Sequence, residues 1–270
     1  MKGREEMSEG RVRHILNVSG GKDSTALAIV MQDRVPGLEY VFCDTQKELP
    51  ETYEFLDRLE AHLGKRIVRL NAERGFDHWL QVYGGLLPSS QVRWCTRKLK
   101  IEPLEDYIGN DKAFTYVAIR ADEDRQGYVS TKPNITPVFP FKDMGITRAD
   151  VVRILEESAL GLPKYYNWRS RSGCYFCFFQ RKNEWVGLLE QHPGLFEQAK
   201  MYEKIDPTTG QRYTWAANES LEELEAPERV AEIRRRAQDL DKEAGRKAFT
   251  LGAMITPDDE DELGCLMCHL

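Results

Sequence analysis

A short apolar run that ends in two glycines and passes directly into a helix-forming stretch constrains this chain more than any other feature. Residues 14–18 (H-I-L-N-V) read as a buried strand, Ser19-Gly20-Gly21 as the turn that ends it, and residues 25–32 as the helix beyond. The same alternation continues without an internal repeat. Residues 38–43 (L-E-Y-V-F-C) form a second strand and residues 51–63 a second helix. Residues 66–70, 114–119 and 135–139 supply three more strands. Strands that alternate with helices imply βαβ crossovers, and so a mainly parallel, twisted sheet with helices on both faces, an α/β fold. Ligands of such sheets lie beyond the carboxyl ends of the strands. The loops after Val18, Cys43 and Ile119 are therefore expected to share one mouth.

Beyond Phe141 the pattern turns helical. Thr147 is placed to cap a helix over residues 148–158. Helices over 183–191 and 195–202 follow, with Pro193 between them, then a charged helix over 227–240. An acidic stretch, P-D-D-E-D-E at 257–262, leads to the C-terminus. The expected division is a nucleotide-binding α/β part over residues 1–145 and a helical, cysteine-bearing part over 146–270.

No run approaches the ~20 apolar residues a membrane-spanning helix needs, and the first residues (M-K-G-R-E-E) lack the apolar core of a secretory signal. The expected location is cytoplasmic, with no membrane partner. There, grouped cysteines point to metal or redox chemistry rather than disulfides. The net charge of −6 argues against a protein that grips nucleic acid unaided.

The loop itself carries chemistry. Gly20 and Gly21 let backbone N–H groups approach phosphate oxygens without an intervening Cβ, and the following helix presents its positive end to the same anion. Lys22 adds a full charge, and the hydroxyls of Ser24 and Thr25 add donors. Neither the Walker order nor a dinucleotide fingerprint is present.

This S-G-G-K-D-S loop resembles the pyrophosphate loop of the ATP pyrophosphatases related to phosphoadenosine phosphosulfate (PAPS) reductase. The resemblance extends through Asp44-Thr45 with Pro50-Glu51-Thr52, through the stretch from Arg93 and Cys95 to Lys100 with Pro103-Leu104, and through Arg120, Glu123 and Arg125, over roughly residues 14–180. It implies an adenine nucleotide α-hydrolase-like fold that uses ATP and Mg²⁺ and cleaves between the α- and β-phosphates. By that resemblance Ser19, Gly20, Gly21, Lys22, Asp23 and Ser24 hold the pyrophosphate, and Asp44 meets the ribose or Mg²⁺. Arg93, Arg120 and Arg125 also serve nucleotide binding. Lys22, Asp23, Lys100 and Arg120 are the expected catalytic set, because an adenylating transition state spreads negative charge that fixed cations stabilise.

The cysteines add a second theme. Cys174-x-x-Cys177 and Cys265-x-x-Cys268 are two pairs of the kind a four-sulfur metal site uses. Spacing alone does not separate zinc from a [4Fe–4S] cluster. The aromatic residues around Cys174, and the resemblance of R-S-G-C-x-x-C to the cluster motif of adenylyl-sulfate reductases, point to the cluster, with Zn²⁺ as the alternative. Cys95 competes for one place in the ligand set. Cys43, inside an apolar strand, reads as core.

Within the family, W-C-T-x-x-L-K and the paired cysteines most resemble the ATP pyrophosphatase of bacterial DNA phosphorothioation systems. That resemblance implies adenylation of an acceptor for sulfur transfer. A cysteine desulfurase would be the donor, and other modification subunits would bring DNA. A nucleotide-sulfate reductase, a tRNA-thiolating enzyme and a non-catalytic ATP sensor are the alternatives.

Overall fold

The computed structural model describes residues 12–125, 127, 130–206, 208–216 and 218–250. The first part is a five-stranded, wholly parallel sheet in the order β3-β2-β1-β4-β5. Its strands are β1 (Arg13–Asn17), β2 (Glu39–Asp44), β3 (Ile67–Asn71), β4 (Ala113–Tyr116) and β5 (Ile135–Val138).

Period-two alternation assigns the two faces. Leu16, Tyr40, Phe42 and Tyr116 point to one side. There they bury against α1 (Lys22–Met31), α2 (Pro50–Leu63) and, further along the chain, a helix over Arg148–Glu157. Ile15, Val41, Cys43 and Ala113 point to the other side, against Ile101, Leu104 and Ile108. The expected α/β sheet with helices on both faces is thus the observed one.

Local chemistry sets most boundaries. Pro50 opens α2 at a position that needs no N–H, and Gly64, at φ +59°, closes it in the left-handed region. Helix α1 begins at Lys22, three residues earlier than residues 25–32 suggested, because the turn is complete once Gly21 has taken its extended conformation. Strand β4 stops at Tyr116, short of the expected Ile119, so Val117–Arg120 is irregular chain.

Two helical runs escape the alternating pattern. One is α3 (Phe76–Val82). The other consists of α4 (Trp94–Thr96), a π turn (Arg97–Ile101) and α5 (Glu102–Ile108) in succession. Pro103 has no N–H to offer the carbonyl four residues back. The turn before it widens, and the Glu102 N–H reaches the Arg97 carbonyl five residues earlier.

The C-terminal part is helical, as expected: α6 (Pro140–Asp143), α7 (Arg148–Glu157), α8 (Lys182–Gln191), α9 (Pro193–Lys200), α10 (Leu221–Leu224) and α11 (Pro227–Thr250). A small antiparallel hairpin, Lys204–Ile205 with Arg212–Tyr213, interrupts it. Pro193 is the first residue of α9 rather than a break before it, since that position carries no intrahelical N–H bond. An aromatic core of Tyr165, Tyr175, Phe176, Trp185, Phe196 and Trp215 fills this part. It also takes in Leu49, Phe76, Trp94 and Leu99 from the first half. Among the described residues no helix is long and apolar enough to cross a membrane. The acidic stretch 257–262 lies outside the described residues.

Thr147 and Asp150 cap α7 reciprocally. The Thr147 N–H and hydroxyl both donate to Asp150 Oδ2, at 3.0 and 2.8 Å. Thr147→Ala is expected to lower the thermal midpoint by about 2–4 °C. The same bonds hold the Asp150 carboxyl down at about 2. Because the folded value lies below the unfolded one, this stabilisation is present above about pH 4 and fades as the pH falls toward 2. Acid titration of wild type against the variant is expected to show a shallower loss in the variant.

Candidate nucleotide and cysteine site

The chain runs outward from β1 to β2 and β3 and then returns to lay β4 on the other side of β1. The carboxyl ends of β1 and β4 therefore flank the point where strand order reverses, where open parallel sheets bind ligands. The loop after β1 and the irregular segment ending at Arg120 meet there.

Residues 19–24 are wrapped tightly. Gly20 sits at φ +74°, and a Cβ on it would stand 2.7 Å from Thr52 Cγ2. A Cβ on Gly21 would stand 2.7 Å from Ser172 Oγ. Ser24, fully buried, accepts the Ser19 N–H at 3.0 Å and lies 3.1 Å from Ser19 Oγ. Three residues of the C-terminal part close over the turn. Tyr165 OH donates to the Gly20 carbonyl at 2.7 Å, Tyr166 OH receives the Lys22 N–H at 3.1 Å, and Ser172 Oγ lies 3.2 Å from Ser19 Oγ.

Charged groups form an unbroken chain beside the loop. Lys22 Nζ is 3.6 Å from Asp23 Oδ2, and Arg120 Nη1 is 3.1 Å from Asp23 Oδ1 and 2.9 Å from Glu123 Oε1. Glu123 in turn pairs with Arg125. A branch joins Arg120 Nε to Asp122 at 2.9 Å. Burial disfavours the Arg120 charge, but Asp23, Glu123 and Asp122 outweigh it and keep the guanidinium firmly protonated. Four of the expected site residues, Lys22, Asp23, Arg120 and Arg125, thus belong to one network. In it Asp23, 3% exposed, orients two cations rather than facing solvent as a base.

The other expected residues take separate stations. Asp44 ends β2 and accepts from Tyr53 OH at 2.7 Å and from the Gln46 N–H at 2.8 Å. Lys100 lies on the π turn, and its carbonyl accepts the Cys43 thiol at 3.4 Å. Cys43 is core, as its strand implied: burial pushes its thiol up to about 11, against the pull of Lys100 and of Asn17, whose amide donates to the sulfur. Arg93 and Arg171 each place a guanidinium 5.5 Å from the centre of the Phe179 ring.

Cys174 and Cys177 share a tight turn closed by the Cys177 N–H on the Cys174 carbonyl at 3.0 Å. Cys174 Sγ lies 3.1 Å from Thr45 Oγ1, which donates to the buried Glu48 carboxylate at 2.9 Å. The cysteine turn therefore docks at the end of β2. Cys95 packs against the same aromatic core as Cys174. Among the described residues there is no group of three or more metal-binding side chains. Cys265 and Cys268 lie outside the described residues.

The sequence marked Ser172 only as part of the R-S-G-C-x-x-C motif, and it passed over Tyr165, Tyr166, Arg169 and Glu48. They lie far along the chain from the loop or between motifs, and none stands in a spacing that signals a ligand. The K-Y-Y-N stretch carried no signal beyond two adjacent aromatics.

The fold and the loop together define an open, parallel α/β domain with a glycine loop and two cations at its switch point. The chain matches the phosphoadenosine phosphosulfate reductase domain over residues 13–177, more than half its length, and belongs to that family. An uncharacterised protein of Methanocaldococcus jannaschii is 28% identical over 194 residues, 67% of this chain and 39% of that protein. An adenosine 5'-phosphosulfate reductase of Staphylococcus haemolyticus is 28% identical over 101 residues, 37% of this chain and 42% of that enzyme. The chain thus spans less than half the length of either relative. A PAPS reductase of Candida auris, solved as a phosphate complex, aligns with TM-score 0.46 at 16% identity. The alignment covers 60% of this chain and 81% of that one.

The glycines give a direct test. Gly20→Ala combines a left-handed φ with a clash and is expected to destabilise the protein by more than ~1 kcal/mol, read by denaturant unfolding. Gly21→Ala keeps an ordinary φ and meets serine side chains only, Ser172 at Oγ (2.7 Å) and Cβ (3.2 Å) and Ser19 at Oγ (3.4 Å). It is expected to fold more nearly as wild type.

Proposed function

We propose that this protein is an ATP pyrophosphatase that adenylates an acceptor for sulfur transfer, with DNA phosphorothioate modification as its setting. The observation that carries the reading is the union of the two loops. Ser172 lies against Ser19 of the nucleotide loop, and Cys174, two residues on, lies against Thr45 at the end of β2. A loop suited to pyrophosphate and a cysteine pair suited to sulfur or metal chemistry thus share one mouth.

In this reading the backbone and hydroxyls of residues 19–24 hold the β- and γ-phosphates of ATP. Asp44 meets the ribose or Mg²⁺, and Arg93 and Arg125 complete nucleotide binding. An acceptor oxygen attacks the α-phosphorus, the bond to the β-phosphate oxygen breaks, and pyrophosphate leaves with the electron pair. Lys22, Lys100 and Arg120 meet the charge that develops, and Asp23 holds Lys22 and Arg120 in place. The terminal sulfur of a cysteine desulfurase persulfide then attacks the adenylated centre, AMP leaves with the activated oxygen, and a second thiol cleaves the S–S bond, leaving the sulfur on the product and a disulfide behind. The acidic net charge suits a component to which other subunits present the DNA.

Cys174 and Cys177, one residue-pair edge on a tight turn among aromatic side chains, fit half of a four-sulfur set. Cys265 and Cys268 would supply the rest, with Cys95 as the competitor. A [4Fe–4S] cluster bound there supplies electron storage, whereas Zn²⁺ in its place supplies a structural tie.

One finding favours a second reading. The similarity to the staphylococcal enzyme suits reduction of a nucleotide sulfate at the same loop. The two readings differ in product. Pyrophosphate released from ATP in the presence of acceptor and partners supports adenylation; sulfite released from a nucleotide sulfate with thioredoxin supports reduction. Lys22→Ala and Arg120→Ala are each expected to slow pyrophosphate release by about 100-fold. A protein that binds ATP yet releases no pyrophosphate with any acceptor would sink the adenylation reading. Anaerobic purification of Cys174→Ser is expected to yield protein depleted of iron and sulfide; colourless wild type loaded with zinc would overturn the cluster.

A further inference from the structure

A helix leaves its first amides without partners inside the helix, and α1, ten residues long, presents them at the nucleotide loop. One of them is already engaged. The Lys22 N–H is donated to Tyr166 OH at 3.1 Å, and the Lys22 ammonium lies 5.4 Å from the centre of the same ring. Tyr166 packs on Tyr165, ring centres 4.9 Å apart, and Tyr165 is itself pinned to the Gly20 carbonyl. Ser172 brings a second hydroxyl to Ser19 and Gly21. Neutral protein oxygens therefore stand on donors whose natural partner is an anion.

Behind the tyrosines lies Arg169, 2% exposed. Its two terminal nitrogens donate to the carbonyls of Gly173 and Cys174, at 3.1 and 2.8 Å, and its Nε is buried without a hydrogen-bond partner. No described carboxylate pairs with it, whereas Arg120, less deeply buried, meets three. The charge of Arg169 acts on both tyrosine hydroxyls. A buried cation without a counter-ion is costly. An anion arriving next to the tyrosines would remove that cost.

We propose that residues 165–172 are the exchangeable wall of the phosphate site: Tyr166 OH holds the place of a phosphate oxygen on the Lys22 amide, and Arg169 supplies the buried charge that the arriving pyrophosphate group neutralises. This rests on the reading of residues 19–24 as a phosphate loop. It adds a step, because the tyrosine hydroxyl must leave the amide as the anion takes it. It also adds a positioning residue, Arg169, which no motif contains.

Calorimetric titration of the full chain with inorganic pyrophosphate tests the proposal. Tyr166→Phe removes the competing acceptor and is expected to bind about two- to tenfold more tightly than wild type. Arg169→Met is expected to bind about tenfold more weakly or worse, and Arg169→Lys to recover most of the loss. Unchanged or weaker binding by Tyr166→Phe overturns the exchange, since a merely structural tyrosine cannot improve affinity when trimmed. Unchanged binding by a folded Arg169→Met overturns the role of its charge; if that variant does not fold, Arg169→Lys and Tyr166→Phe decide. Pyrophosphate that binds neither wild type nor Tyr166→Phe overturns the phosphate loop itself, a distinct failure.

Discussion

The contact between the glycine turn and the segment 165–172 is the constraint on which the arrangement of this molecule depends. It exists because Gly20 and Gly21 have no side chains. The space a Cβ would fill is taken by Thr52 on one side and Ser172 on the other. Through that absence the helical part can reach the carboxyl end of the central strand, so a chain with separate hydrophobic clusters presents a single mouth. The phenol of Tyr165 reinforces the contact from full burial, where a hydroxyl without an acceptor would be strongly unfavourable.

The second organising element is ionic. Lys22, Asp23, Arg120, Glu123 and Arg125 alternate in sign, so the buried Asp23 and the half-buried Glu123 each lie between two cations. Such a chain costs desolvation energy and is rarely kept for stability alone. Its geometric effect is to hold two positive groups at fixed places around one loop. Fixed cations of this kind are suited to meeting negative charge without reorganisation.

The sheet was legible because its signal is local. Short apolar runs separated by helical stretches leave few topologies, and the glycine loop marked the carboxyl end of the first strand. Lys22, Asp23 and Arg120 were legible through their motifs. The helix over Phe76–Val82 was not, because only Phe76 of it is buried and no apolar stripe forms. Tyr165, Tyr166 and Arg169 were hidden for another reason. They come to the loop through tertiary packing about 145 residues along the chain, and adjacent tyrosines in a sequence carry no periodicity that distinguishes a wall of a site from ordinary core.

The π turn before Pro103 has a consequence for how this segment tolerates change in length. The extra residue it accommodates sets the angular phase between α4 and α5. Each residue of a helix rotates the chain by about 100°, so a single insertion or deletion within Arg97–Ile101 would swing Cys95 and Arg93 away from the aromatic core and Phe179 while α5 stayed seated on the sheet. Surface loops commonly absorb such length changes. This turn works instead as a vernier: one residue of slack, already used, fixes which side chains of the preceding segment face the aromatic core and Phe179.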